Sequence, residues 1–310
     1  MGAGGRRAAR DPGRGGRPVS APAIVTVLHD SAPDLRRLLA SLPRAAADSL
    51  VVVDAGSADD GPRIAADWGA TVVEAGDVGF GAANNAGLRH VTASVTILLN
   101  PDIVVGDPPV LERLARHARC ADALHVPRLR NPDGSAQRSA HALPGRPGAL
   151  LPALVHPRAL PRRLRLQADP WRASAEREVG WAIAAAVAAR TETLRRLGPF
   201  DPAQFLFYED MDLCLRARAA GVPTVLHPEL ELEHRGGHST GPAYGGEPHE
   251  LLARRRHEVV AANLGPRAAA LDGAAQALTF ATRAGARLAL RREAARERAQ
   301  LRAVLHALRG

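Results

Sequence analysis

Three carboxylates stand within four positions at Glu209-Asp-Met-Asp212, preceded by aromatics and followed by a helix-like run to Gly221. If partly buried together they cannot all ionise at low cost. Such a cluster needs a nearby cation or a raised pKa, and either would equip a catalytic base. The plainer alternative is a helix first turn, where acidic side chains complement the N-terminal dipole. The rest of the chain must decide.

The elements that would position these groups follow from an alternation of apolar runs and helical patterns. Ala23-Ile-Val-Thr-Val-Leu28 reads as a buried strand. A helix starts at Ser31-Ala-Pro-Asp34, with Ser31 as N-cap and Leu35, Leu38, Leu39 and Leu42 on one face. Leu50 to Asp54 is a second strand, stopping in the turn-rich Asp54 to Gly61. Thr71 to Glu74 is a third strand, Gly79 to His90 a helix, and Val95 to Leu99 a fourth strand. Such alternation predicts a mainly parallel α/β sheet flanked by helices, with ligands beyond the carboxyl ends of its strands.

Three polar clusters fall at those ends: His29-Asp30, Asp54 to Gly61, and Asn100-Pro-Asp102. The stretch Gly79-Phe-Gly-Ala-Ala-Asn-Asn-Ala-Gly87 lacks G-x-G-x-x-G spacing and follows the third strand, which argues against a dinucleotide dehydrogenase. Its glycines allow the backbone to approach a ligand, and Asn84 and Asn85 could bond that ligand or cap the turn. A nucleotidyltransferase would want a glycine-rich basic loop after the first strand, and His29-Asp-Ser-Ala-Pro33 is not one.

Composition bounds the remaining classes. The 310 residues are 46% hydrophobic and 24% charged but only 3% aromatic, so the core must be aliphatic and alanine-rich. The net charge of +9 is concentrated in places. Residues 1–20 carry five arginines among Gly, Ala and Pro and read as a disordered basic tail. No hydrophobic stretch follows them as a signal peptide requires, and no window reaches 18 apolar residues, so the expected location is cytoplasmic. The two cysteines, Cys120 and Cys214, lack metal-site spacing and fit a reducing compartment.

Taken in order, these motifs resemble the inverting family 2 glycosyltransferases of the GT-A fold, in the rhamnosyltransferase-like branch. The resemblance runs from about Ala23 to Ser239. It rests on His29-Asp30-Ser31, Asp54-Ala-Gly-Ser57, Val78 to Gly87, Asn100-Pro-Asp102, Gly180-Trp-Ala-Ile-Ala, Leu197-Gly-Pro-Phe-Asp201, Tyr208-Glu-Asp-Met-Asp-Leu213 and His234. It implies a nucleotide-diphosphate sugar donor, a divalent metal (Mg²⁺ or Mn²⁺) and a carboxylate that deprotonates the acceptor hydroxyl. By position, Asp210 resembles the base, and Asp102 and His234 the metal ligands, with His238 as a substitute for the latter. His29, Asp54, Gly79, Asn84, Asn85, Asn100, Trp181 and Glu209 fall on the substrate side. Ala55, Asp77 and Asp30 depart from the family's usual residues, which leaves the nucleobase open. His29 could stack on that base or sit in the core.

The implied organisation is a GT-A catalytic domain over residues 21–245, with a nucleotide-sugar-binding half (21–126) and an acceptor-side half (127–245), then a helical extension over 246–310. Residues 127–178 are rich in Pro, Arg and Gly, with a turn at Asn131-Pro-Asp-Gly134. Two helices are expected in the extension, from Glu250 to Leu264 and from Ala268 to about Arg309. Their recurring arginines could meet an anionic membrane surface at the inner face of the cell membrane, the catalytic domain or a second subunit. No nucleic-acid-reading motif accompanies the charge. The expected activity moves a hexose, in this branch rhamnose, to a glycan, lipid-linked or small-molecule hydroxyl in cell-wall or polysaccharide synthesis. The alternative is a non-catalytic sugar-nucleotide-binding or scaffold protein that keeps the fold.

Overall fold

A computed structural model describes residues 21–155, 159–201, 207–236 and 248–309. The expected first-half elements are present: β1 (Ala23–Leu28), α1 (Ala32–Ser41), β2 (Leu50–Asp54), α2 (Gly61–Trp68), β3 (Thr71–Glu74), α3 (Phe80–Arg89) and β4 (Val95–Leu99). There follow β5 (Ile103–Val104), α4 (Pro109–Cys120), β6 (Leu124–Arg130), β7 (Ala140–His141), α5 (Leu150–Leu154), α6 (Arg162–Ala168), β8 (Arg177–Val179), β9 (Trp181–Ala182) and β10 (Ala186–Arg190). The remaining elements are α7 (Thr191–Leu197), α8 (Glu209–Ala219), β11 (Thr224–His234), α9 (His249–Leu264), α10 (Pro266–Ala289) and α11 (Ala295–Ala307).

The main sheet runs β3-β2-β1-β4-β10-β6-β11-β5, with β8 also on β11. β3, β2, β1 and β4 are mutually parallel, β10 runs against β4 and β6, and β11 is parallel to β6. Both faces are covered, so the strands are apolar on both sides. Val25, Val27, Val51 and Val53 face one core with Leu88 of α3 and Leu213 of α8. Ile24, Leu28, Leu50 and Val52 face the other, under Leu35 and Leu38 of α1 and Leu114 of α4.

Two local expectations are corrected, at the start of α1 and in the C-terminal extension, and β6 needs a physical account. Ser31 stands at the N-cap of α1, but its side chain caps no helical N–H; its Oγ accepts from His29 N at 3.2 Å instead. The arginine-rich segment 127–178 opens with a long central strand, β6, despite Pro127. The N–H that Pro127 lacks falls opposite His227, where β11 shifts register before Glu231, so the defect is absorbed as a bulge. The expected final helix from Ala268 to Arg309 is broken at Leu290–Ala294, where Arg291 has a φ of 52°. α11 thereby folds back against α10 and α9, and Leu308 packs onto the bare Cα of Gly273.

Candidate active site

The strand ends carry the polar residues as the parallel sheet requires. At the end of β2, Asp54 Oδ1 accepts from Ser57 N at 3.0 Å, closing the turn. His29, just past β1, lies 2.9 Å through Nδ1 from Ala55 O, a bond that only an N–H can make. Its ring is exposed at that rim, which rules out the core alternative.

After β4 the chain turns at Asn100, whose N donates to Ala185 O at 2.9 Å, and presents Asp102. The short pairing of β5 with the end of β11 sets His234 opposite Ile103. His234 Nε2 then lies 3.3 Å from Asp102 Oδ2. Gly236, at a φ of 62°, donates its N–H to the same oxygen at 2.9 Å. On the far side of the ring, Nδ1 lies 2.7 Å from Gln137 Oε1. Nδ1–H donates to that carbonyl oxygen, which turns Nε2 toward Asp102.

Asp102 Oδ1 is buried without a hydrogen-bond partner among the described residues. Burial alone would raise this carboxyl. The His234 hydrogen bond and charge and the Gly236 N–H outweigh it, and Asp102 stays below the ordinary aspartate value. An orphaned carboxylate oxygen beside an imidazole nitrogen is a donor set that fits a divalent cation.

The acidic cluster sits in the first turn of α8. Phe207 and Tyr208 precede it with φ angles of 73° and 63°, two consecutive left-handed non-glycine residues. Such strain persists only where surroundings impose it, and it concentrates at functional sites. Asp210 Oδ1 accepts from Met211 N at 2.7 Å, and the Ala184 backbone also bonds the carboxyl. Glu209 is buried, with Oε2 lacking a partner among the described residues, while Asp210 keeps some open surface. Burial raises both carboxyls, and the charge of Asp210 pushes Glu209 up further. Asp212 differs. Arg216 Nε at 2.7 Å and Asn263 Nδ2 at 2.8 Å satisfy it, so it ties α8 to α9.

One segment joins the two groups. Between β9 and β10, Ala184 bonds Asp210 while Ala185 holds Asn100. Trp181 of β9 stacks on His141 at 4.0 Å and meets Tyr208 edge-on at 6.1 Å. A Cβ on Gly180 would lie 2.1 Å from Leu143 N, so only glycine lets β9 lie this close to the segment after β7. Trp181 Nε1 is a third buried polar atom without a partner among the described residues. Burial keeps His141 neutral, lowering it to about 3.

The glycine-rich stretch is arranged differently from the expectation of ligand contact. Gly79 opens α3 at a φ of 78°. Asn84 Nδ2 donates to Phe80 O at 2.9 Å, and Asn85 bonds the Phe200 backbone through both amide atoms at 2.7 and 3.2 Å. Both side chains hold the protein's own backbone. His238 lies outside the described residues. Gln137, His141 and Tyr208 were missed as site residues. Only Tyr208 had a signal, as the residue leading the acidic cluster.

Comparison with known proteins fits this layout. The profile of Glycosyl transferase family 2 matches residues 23–172. An N-acetylglucosaminyl-diphospho-decaprenol L-rhamnosyltransferase of Mycobacterium tuberculosis, found in strains CDC 1551 and H37Rv, is 30% identical over 245 residues, 70% of this chain and 77% of that protein. The chain belongs to glycosyl transferase family 2. Among solved structures, this family 2 glycosyltransferase superposes on a mannosyltransferase of Pyrobaculum calidifontis, determined with GDP-Man and Mn²⁺. The TM-score is 0.53 at 16% identity, covering 95% of this chain and 90% of that one. Glucosyl-3-phosphoglycerate synthase of M. tuberculosis, determined with Mn²⁺, UDP and phosphoglyceric acid, gives 0.51 at 18% identity, with 78% of each chain covered. The fold of the enzyme is therefore GT-A. Its place in the rhamnosyltransferase-like branch sets aside the non-catalytic alternative.

Proposed function

We propose that this enzyme is an inverting, metal-dependent transferase that moves a hexose, rhamnose in the first instance, from a nucleotide diphosphate to a lipid-linked acceptor hydroxyl. The observation that carries the reading is that Ala184 and Ala185 hold two partly buried groups, the turn Asn100–Asp102 and Asp210, on one segment. On one side are Asp102 and His234 with an orphaned oxygen, on the other Asp210 with a raised pKa. The sugar and acceptor follow the relative named above, an L-rhamnosyltransferase acting on an N-acetylglucosaminyl-diphospho-decaprenol.

In this reading the donor lies across the ends of β1, β2 and β4, with Asp54 and His29 at the nucleoside end. A divalent ion held by Asp102 and His234 would neutralise charge on the departing diphosphate. Asp210 accepts the acceptor hydroxyl proton as that oxygen bonds the anomeric carbon. The carbon–phosphate oxygen bond breaks with its electron pair leaving on the nucleotide diphosphate, and the anomeric configuration inverts. Trp181 and Glu209 border the acceptor, and Asn100 positions the turn. Asn84 and Asn85 shape the cleft through Phe80 and Phe200 rather than by contact.

We further assign residues 21–245 to catalysis and 246–310 to support and docking. No helix among the described residues is long and apolar enough to cross a membrane. α5 nevertheless exposes Leu151 and Leu154, and Leu288 and Leu290 are exposed at the end of α10, beside Arg287, Arg291 and Arg292. Thr282 Oγ1 bonds Ala153 O at 2.8 Å, joining the two elements. This apolar and basic surface suits peripheral contact with anionic lipid, where a lipid-linked acceptor resides.

The test is a panel of nucleotide-diphosphate sugars, read by Mn²⁺-dependent thermal stabilisation and then by transfer to an N-acetylglucosaminyl-diphospho-polyprenol. A rhamnosyl donor is expected to give the largest shift and an elongated product. Stabilisation by a different sugar would overturn the donor assignment, and rhamnosyl transfer undiminished by chelation would overturn the metal role.

A further inference from the structure

A second cluster of chemistry-bearing residues lies at the opposite end of the sheet. His117 of α4, His125 at the start of β6 and His227 of β11 each present a ligand atom within 4.8 Å of the others. His227 and Glu233, which precedes His234, pair with Pro127 and Arg130 of β6, three residues or roughly 10 Å apart along that strand, so this cluster is separate from the Asp102 site.

Two of its ring nitrogens meet edge to edge. His125 Nε2 lies 3.2 Å from Ala121 O, which can only accept, so the proton of that ring is on Nε2. His227 Nδ1 faces Glu176 Oε2 at 3.2 Å and Glu229 Oε1 at 3.6 Å. That nitrogen is buried and makes no hydrogen bond among the described residues. His125 Nδ1 and His227 Nε2 lie 2.9 Å apart. A cation seated between them would displace the shared proton and take a lone pair from each ring. The third ring, His117, stacks 3.9 Å from His227 and is partly open, giving an entry path.

We propose that His117, His125 and His227 form a structural site for a zinc-class divalent ion, with Glu229 or water in the fourth position and Glu176 orienting His227 from outside. Three imidazoles and an oxygen suit Zn²⁺, whereas Mg²⁺ and Mn²⁺ favour oxygen sets. The carboxylate behind a ligating histidine is the usual supporting arrangement. The 2.9 Å contact lies a few tenths of an ångström short of tetrahedral separation, and His117, whose ligand atom lies within 4.8 Å of the others, would close onto the ion. Bound there, the ion pins α4 and the segment before β8 to the parallel pair β6–β11.

Chelator-treated full-length protein titrated with Co²⁺ tests the assignment, because tetrahedral Co²⁺ absorbs strongly in the visible. One equivalent is expected to give that spectrum in the wild type and in Asp102→Asn. His117→Ala, altered at a partly exposed position, should bind at least about 100-fold more weakly. Zn²⁺ should raise Tm in the first two proteins only, and His117→Ala should keep wild-type transfer with Mn²⁺. X-ray absorption of the zinc-loaded Asp102→Asn protein should show about three imidazoles, a readout that survives misfolding of the other variant. No tetrahedral band in the wild type, a band lost in Asp102→Asn, a band unchanged in His117→Ala, or fewer than two imidazoles would overturn the proposal.

Discussion

Asp210 and Asp212, two positions apart, have opposite electrostatic fates. Arg216 and Asn263 satisfy Asp212, whereas Asp210 receives backbone hydrogen bonds and, among the described residues, no cation. Transfer by the account above needs Asp210 ionised. The acidic limb of kcat/KM is therefore expected well above the ordinary aspartate value of about 4, and a limb at or below 4 would contradict the assignment. The sign for stability is the reverse of that for a salt-bridged aspartate. A folded-state pKa above the unfolded one means that the folded chain binds the proton more tightly, so stability falls as pH rises through that window. Asp210→Asn should thus raise Tm of the metal-free protein at pH 8 by roughly 2–6 °C, from on the order of 1–2 kcal/mol after discounting for its open surface. Calorimetry at pH 4 should show almost no gain. The three carboxylates were legible as a cluster, and Arg216 stands at i+4 from Asp212, but its second partner, Asn263, is 51 residues away in another helix.

Strand ends were legible because apolar runs such as Val95 to Leu99 stop abruptly at a polar turn, and a parallel sheet collects those stops at one edge. β6 was harder, since Pro127 and two arginines disguise a strand whose defect is repaired by a bulge in its partner. The break after α10 was not legible either. Leu290-Arg-Arg-Glu-Ala294 has no Gly or Pro, and helical periodicity continues through it. Gln137, within an irregular stretch, gave no sign that it orients the His234 ring. The extension also reaches the site. Arg256 of α9 forms a two-pronged pair with buried Asp272 of α10 at 2.8 and 2.9 Å and lies 5.8 Å over the Tyr208 ring. Arg256→Gln should cost roughly 3–5 kcal/mol in urea unfolding, because Asp272 is left as an uncompensated buried charge. Asp272→Asn added to it should recover a large part of that loss; a double variant no more stable than the single one would contradict this coupling.

Across the whole molecule, a sheet with both faces covered supports two chemically different edges. The carboxyl-end edge gathers Asp54, Asp102 and His234, and the opposite edge gathers three histidines. The fold class followed from strand–helix alternation, and the order of motifs pointed to the family. The pairing of residues 102 and 234 needed the β5–β11 contact, which only two residues of β5 make. At this scale, replacing Leu288 and Leu290 by glutamine should lower sedimentation with anionic vesicles several-fold and leave transfer to a water-soluble acceptor analogue intact. Equal sedimentation would place membrane contact elsewhere. The central claim is that Asp210 takes the acceptor proton beside an Asp102–His234 metal pair, and the most direct measurement is single-turnover transfer by Asp210→Asn at saturating donor and Mn²⁺. The account predicts a loss of about 10²–10⁴-fold in rate with donor affinity unchanged. A variant that keeps more than about a tenth of the wild-type rate would contradict it.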